Sequence, residues 1–451
     1  MIRDPKKLHN LIREYARMER LEGYSSQSRG QRLNTFIAEL LSCWGIHAES
    51  NLYGAGEIDV AFEFQGRQFI MEAKWESHST KIGPITKLRK RIGQRLRGTI
   101  GIILSMTGFS RDALKDIKEG EELAILCLDR KHLEAMLTGF IPPEDLFSQL
   151  IVVGSRLGHP YMPIESLFKS RALIKKAQPF EHFFSVEEHI ISSIPTFSVT
   201  TLFSGFPSSR MGMAKKSPDR LLITANNGIF VADFTRSKIS PYFMMPGCLG
   251  NPIISPDGSV YVARRAGIAK IKDKRIEFVA GGFLGNVFLF AGPNQNPMAF
   301  SGGGMDDSEG LPLLISVGDR LGEQSERIIN YPCSAATAAE YIDGDSILLC
   351  GGGGIFIINP ETEEVLIPAR NSPLTNPLGI VNMGDGRFVI ASHHVKLFEL
   401  VISKRSLREI ADIRLFGGAE LIAFNGSSGY LSSFYLDTDN QYRVFLAKWS
   451  Y

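Results

Sequence analysis

The chain has 451 residues, too long for one ordinary core, so two or three domains are expected. Its 50 Lys and Arg nearly balance 48 Asp and Glu, which excludes a generally basic or acidic protein and leaves only local charged runs. There is no apolar run near twenty residues and no signal-peptide pattern at the start, so a soluble, cytoplasmic protein without a membrane partner is expected.

Asp4-Pro5 gives a helix cap followed by Pro at the first helical position, and Leu8, Leu11, Ile12 and Tyr15 then recur at helical spacing. They predict an amphipathic helix to about Leu21, within an N-terminal segment 1–27. Its apolar side can pack on its own domain or on a second subunit. Arg29-Gly30 opens a second helix with Leu33, Phe36, Ile37, Leu40 and Leu41 on its apolar side.

Gly56-Glu57-Ile58-Asp59 comes next, and Phe69-Ile70-Met71-Glu72-Ala73-Lys74-Trp75 follows after a predicted hairpin turn at Gln65-Gly66. Successive strand side chains point to opposite faces, so Glu72 and Lys74 emerge together while Phe69, Met71 and Ala73 face the other way. The hairpin returns Asp59 beside them. Two carboxylates at one corner suit Mg²⁺, a hard cation that prefers oxygen, with Lys74 next to a metal-bound water. The pattern reads as a phosphodiester-cutting site, although an exposed hairpin can carry Asp, Glu and Lys for no such reason.

Lys87, Arg89, Lys90, Arg91, Arg95 and Arg97 form a run without an acid between Gly83 and Gly98. It reads as a phosphate track, since clustered cations neutralise a nucleic-acid backbone without reading its sequence, and its bland rival is a solvated helix face. Trp75 is expected to pack rather than stack on a base, and His78 is expected to be an exposed bystander. Gly101-Ile102-Ile103-Leu104-Ser105-Met106-Thr107-Gly108-Phe109-Ser110-Arg111-Asp112-Ala113 reads as strand, turn and helix. Leu126-Cys127-Leu128-Asp129 and a helix through His132, Leu133 and Met136 complete the unit.

With these stretches in this order, the chain from about Ser28 to Leu137, about a quarter of its length, resembles the Mrr-like branch of the PD-(D/E)xK restriction endonuclease superfamily. The resemblance implies an α/β domain over 28–150, a mixed central sheet flanked by helices, with the active site at one end of the sheet. It makes Asp59, Glu72 and Lys74 the catalytic trio, Asp59 and Glu72 being the metal ligands. Close relatives usually carry Glu where Asn34 stands, so Asn34 would support the metal or its water with a neutral oxygen, weakening Mg²⁺ binding or favouring Mn²⁺. Glu39, the nearby acid, lies about 140° further round the helix and reads as solvated or structural.

After Leu137, Pro142-Pro143, His159-Pro160 and Pro163 punctuate a helical connector, 151–195, with helices expected from Ile164 to Gln178 and near Val186 to Ile191. From 196 to 451 short apolar strands alternate with Gly, Asn, Asp and Pro turns. Hairpin-like units begin at Leu221, Ile253, Ser346 and Gly386, at a spacing of about forty residues, the period of propeller blades. This half resembles an NHL or lactonase-like β-propeller, six-bladed by length with seven short blades as the other count. The strand Val444 to Trp449 is expected to pair with Phe197 to Phe203 and close the ring.

Gly302-Gly303-Gly304 and Gly351-Gly352-Gly353-Gly354 read as turns, since a phosphate loop must open a helix. Asp306, Asp307 and Glu309 read as an acidic loop, and His393-His394 as a strand turn. The five cysteines, Cys43, Cys127, Cys248, Cys333 and Cys350, are scattered, which argues against disulfides and zinc.

The expected activity is metal-dependent DNA cleavage in prokaryotic defence against foreign DNA, by a homodimer or larger assembly, regulated by a propeller that binds an unknown protein or ligand. RNA shares the phosphate and stays open as a substrate. One alternative is an inactive nuclease fold serving as a DNA-binding platform. Another is a lactone hydrolase in the propeller.

Overall fold

A computed structural model describes residues 2–450 except 54–56, 120–123, 175–189, 195–196, 207–210, 227, 246, 249, 284–285, 303–312, 329–335, 343–345, 352–353, 363, 367–376, 393–395, 413–418, 426–427 and 437–441. Gly56, the 306–309 acids, His393-His394, Cys333, Gln178 and Val186 therefore lie outside the described residues. The chain divides into two compact units, one built on Met1–Leu167 with the short segments Glu277–Phe283 and Gly318–Glu323, the other holding the rest.

In the first unit, α1 (Pro5–Glu19) starts at Asp4, whose side chain accepts the Lys7 N–H, and buries Leu8, Leu11, Ile12 and Tyr15. It packs on α2 (Ser26–Cys43), and the Tyr15 hydroxyl donates to Glu134 Oε1 at 2.7 Å, so the apolar side is spent within its own unit. The second helix starts ahead of Arg29 because Ser25 and Ser28 form a reciprocal capping box.

A five-stranded sheet follows in the order β1 (Ala48–Leu52), β2 (Ile58–Phe64), β3 (Arg67–Lys74), β4 (Ile100–Ser105), β5 (Ile125–Asp129). The first three strands are antiparallel and the last three parallel, the mixed sheet expected from the sequence. Gln65 and Gly66 turn the β2–β3 hairpin with φ of +51° and +70°, a conformation that suits a two-residue connection and that Gly adopts without steric cost.

α3 (Ile82–Gly93) and α4 (Arg111–Glu119) cover one sheet face, where Ile85, Leu88, Ala113 and Ile117 pack on Ile70, Ile103, Ile125 and Cys127. β5 runs into α5 (Arg130–Leu137) and then α6 (Pro143–Leu157). On the other face Phe62 and Phe69 stack with centroids 5.0 Å apart, and Phe147 of α6 lies 5.2 Å from Phe62. The connector differs from expectation. α6 runs across residue 150, α7 is helical over Ile164–Ile174, where the described residues break off, and Ile190–Ile194 is a strand rather than helix, paired with Phe197–Phe206.

The second unit is a β-propeller of consecutive antiparallel sheets. Five are four-stranded blades, where six were expected. The sheet that remains has five strands and takes them from both ends of the described propeller strands: Ala419–Asn425, Ser428–Leu436 and Tyr442–Ser450 join Phe197–Phe206 and Ile190–Ile194. A forty-residue period counts such units by length and does not show that one of them is a five-stranded sheet drawn from both ends. The expected closure is present, with Trp449 opposite Val199 and Ala447 opposite Thr201. The first strands of neighbouring sheets pack side by side, from Gly212–Ser217 round to Ala419–Asn425 and back. Blade interiors such as Ile347–Gly351 are buried on both faces, which is why they read as continuous apolar runs. Gly351 and Gly354 end and begin adjacent paired strands, and Gly352-Gly353 between them lie outside the described residues.

Phe147 is fully buried among Phe62, Phe64 and Phe69. Phe147→Ala is expected to lower the stability of the first unit by about 3–5 kcal/mol, measured by urea unfolding. A loss below about 1 kcal/mol would mean that α6 does not hold this face of the sheet.

Candidate functional site

The hairpin brings the three expected residues together. Continuing the Val60–Met71 pairing by one position sets Asp59 opposite Glu72, and Asp59 Oδ2 accepts the Ala73 N–H at 2.8 Å. Lys74 Nζ lies 2.7 Å from Glu72 Oε1. Asp59 and Glu72 are 9% and 6% exposed, against 26% for the Lys74 side chain, so the carboxylates sit in the protein and the ammonium reaches outward. Burial raises the Asp59 carboxyl above its ordinary 3.8, the Ala73 N–H opposes the shift and the Glu72 charge adds to it.

The basic run does not form a single track. Arg91 turns inward and its guanidinium pairs with Glu72 Oε2, so both Glu72 oxygens face cations. Its position follows from Ile85 and Leu88, whose buried helix stripe continues at i+3 onto Arg91. Charge alone had placed Arg91 on the phosphate track; the apolar stripe was the signal that places it here. Arg89 lies 3.4 Å from Asp116 on α4, and Arg95 Nη1 donates to the Arg91 carbonyl at 2.5 Å. Lys87 and Lys90 are exposed on α3, and Arg97 is exposed beyond its end.

Asn34 is 8% exposed and donates through Nδ2 to Asn51 Oδ1 at 3.0 Å. Asn51 stands between the paired positions Ser50–Val60 and Leu52–Ile58, across from Asp59. The Asn34 Oδ1 is buried without a hydrogen-bond partner, the sort of orphaned acceptor a cation satisfies. Two carboxylates and this amide oxygen fit Mg²⁺ as an all-oxygen donor set, although no cluster of three His, Cys, Asp or Glu occurs among the described residues. Glu39 is held 2.6 Å from Arg32, a structural pair.

Trp75 packs, as expected. It is 8% exposed, stacks on Tyr15 with centroids 5.9 Å apart and carries the Arg29 guanidinium 4.4 Å from its ring centroid. His78 is exposed, 3.6 Å from Glu76. In the propeller, the first strands of five sheets line a cavity of about 290 Å³ with Lys215, Asn251, Gln295, Glu340 and Asn382, and burial pushes the Glu340 carboxyl up to about 8. Among the described residues no helix is long and apolar enough to cross a membrane.

No protein-family model matches the chain, and no curated protein matches it significantly. Solved structures do. A gluconolactonase from Xanthomonas campestris is 10% identical with a TM-score of 0.45, over 59% of this chain and 96% of that one. A protein of unknown function from Bacteroides thetaiotaomicron is 12% identical with a TM-score of 0.40, over 60% and 74%. An oligogalacturonate lyase in complex with manganese is 11% identical with a TM-score of 0.37, over 57% and 79%. Likeness this distant carries no argument about activity.

Two outcomes are expected. Asp59→Asn keeps an oxygen for the Ala73 N–H and removes a charge that burial disfavours. Because the folded pKa is raised, the proton on Asp59 supports the fold below 3.8, and that support is lost as pH climbs through the raised value. The variant should therefore melt higher than the natural chain at neutral pH and equally in acid, by calorimetry. An offset unchanged with pH would count against it. Arg91→Ala, by freeing Glu72 Oε2, should tighten Mn²⁺ binding in calorimetric titration, and the gain should vanish on a Glu72→Ala background.

Proposed function

We propose that the first unit is an Mrr-like PD-(D/E)xK nuclease that hydrolyses DNA phosphodiester bonds. The observation that carries this reading is the corner itself, with Asp59 anchored by the Ala73 N–H, Glu72 opposite, and Lys74 Nζ 2.7 Å from Glu72. Asp59 and Glu72 would hold Mg²⁺, or Mn²⁺ in its place, with the Asn34 amide oxygen in support. When bound, the ion supplies a water of lowered pKa and positive charge at the phosphate.

The side chains do the rest. Lys74 stabilises the hydroxide or the charge developing on phosphorus, since its ammonium is fixed against Glu72 and still partly open to solvent. Lys87 and Lys90, exposed on α3, hold the DNA backbone. Cutting both strands requires two such corners, hence a homodimer or larger assembly. The enzyme would act in the cytoplasm, in defence against foreign DNA, with the propeller as sensor or partner dock restraining it.

A second reading is favoured by the engagement of both Glu72 oxygens by Lys74 and Arg91: a fold that no longer cuts and serves as a DNA-binding platform. Supercoiled plasmid in Mg²⁺ and in Mn²⁺ separates the two. The nuclease reading expects nicking or linearisation that Glu72→Ala/Lys74→Ala abolishes and Lys74→Ala alone slows by about 10²–10³-fold. DNA affinity without cleavage in either metal would establish the platform instead.

A further inference from the structure

At the end of the sheet away from the carboxylate corner, the first residues of β3, β4 and β5 open onto a cavity of about 450 Å³. Arg67 and Glu72 are five positions apart on β3, about 16 Å at strand rise, so this cavity is separate from the corner. Its lining has two characters. Arg67, Arg95 and Arg97 supply three guanidinium groups, and among the described residues no carboxylate lines it. Ile92, Ile100 and Ile151, each partly exposed, give it an apolar surface over the buried Ile125. The volume falls within the range of about 300–1,000 Å³ that holds small organic ligands.

Guanidinium groups suit phosphate, with fork-like donors that pair two oxygens at once, and three of them with no acid favour more than one negative charge. The branched aliphatic surface suits a flat apolar body. Phosphate alone would leave the partly exposed Ile92, Ile100 and Ile151 without a partner surface, and an apolar ligand alone would leave the guanidinium groups without an anion.

We propose that this cavity binds a nucleoside phosphate, with the phosphates on Arg67, Arg95 and Arg97 and the base against Ile92, Ile100 and Ile151. The site stands independently of DNA cleavage, because none of these residues belongs to the Asp59–Glu72–Lys74 corner. It reassigns Arg95 and Arg97 from the nucleic-acid track to a small-molecule pocket.

The test is calorimetric titration of the full chain with AMP, ADP, ATP and pyrophosphate in EDTA, which keeps metal out of the carboxylate corner. Saturable binding is expected, tighter for ADP and ATP than for pyrophosphate, weakened at least tenfold by Arg67→Glu and by Arg97→Glu. Glu72→Ala/Lys74→Ala should bind as the natural chain does. Absence of saturation up to millimolar ligand overturns the proposal, as does binding untouched by both charge reversals. Binding of a 5′-phosphorylated oligonucleotide that Arg67→Glu removes, with no binding of the mononucleotides, also overturns it and assigns the arginines to a DNA end.

Discussion

The hydrogen bond from the Ala73 N–H to Asp59 Oδ2 ties the β2–β3 hairpin to the chemistry it carries. A strand has a side-chain period of two, so a slip of one residue would exchange the two faces of the hairpin. The Gln65-Gly66 turn sets the register, and the stacked Phe62–Phe69 pair on the opposite face resists any slip. Core and corner are therefore one constraint seen from two sides. Phe69, Met71 and Ala73 can face inward only if Glu72 faces Asp59.

The charge arrangement follows from that placement. A carboxylate as buried as Glu72 is costly unless paired, and the fold supplies Lys74 from its own strand and Arg91 from α3. Burial pushes the Asp59 carboxyl up, and the Ala73 N–H only partly opposes it. The two acids are thus inequivalent in the protein alone: one is balanced by guanidinium and ammonium, and the other is held by one backbone N–H. A divalent cation entering here would offset the burial cost of the second and would have to compete with Lys74 and Arg91 for the first.

Period-two patterning made the hairpin and the shared face of Glu72 and Lys74 legible, while the mixed sheet was expected only from the resemblance. The sequence made Arg91 legible too, at i+3 from Leu88 on a stripe that starts at Ile85, but charge drew attention away from spacing. The Asn34–Asn51 contact was beyond reach, since it joins α2 to β1 through side chains no local pattern couples. In the propeller, four hairpins announced themselves through turns next to Gly, and the closing strands through their position at the two ends. The number of four-stranded blades did not follow, because the closing sheet draws on Ile190–Ile194, where a helix had been expected.

Helical geometry explains why one basic run serves several purposes. Six cations within eleven residues cannot share a face when each step turns about 100°. Arg91 falls on the sheet side and neutralises Glu72, Arg89 reaches α4 at Asp116, and Lys87 and Lys90 are left to solvent. Past Gly93 the helix has ended, and Arg95 and Arg97 follow the loop to the far end of the sheet, with Arg95 bonded to the Arg91 carbonyl. A chain of near-zero net charge has concentrated its cations here without making a uniformly basic surface. What a charge count reads as one patch, the 3.6-residue turn divides into a half-buried counter-charge, an interhelical pair and exposed lysines, and the loop adds an arginine-lined cavity.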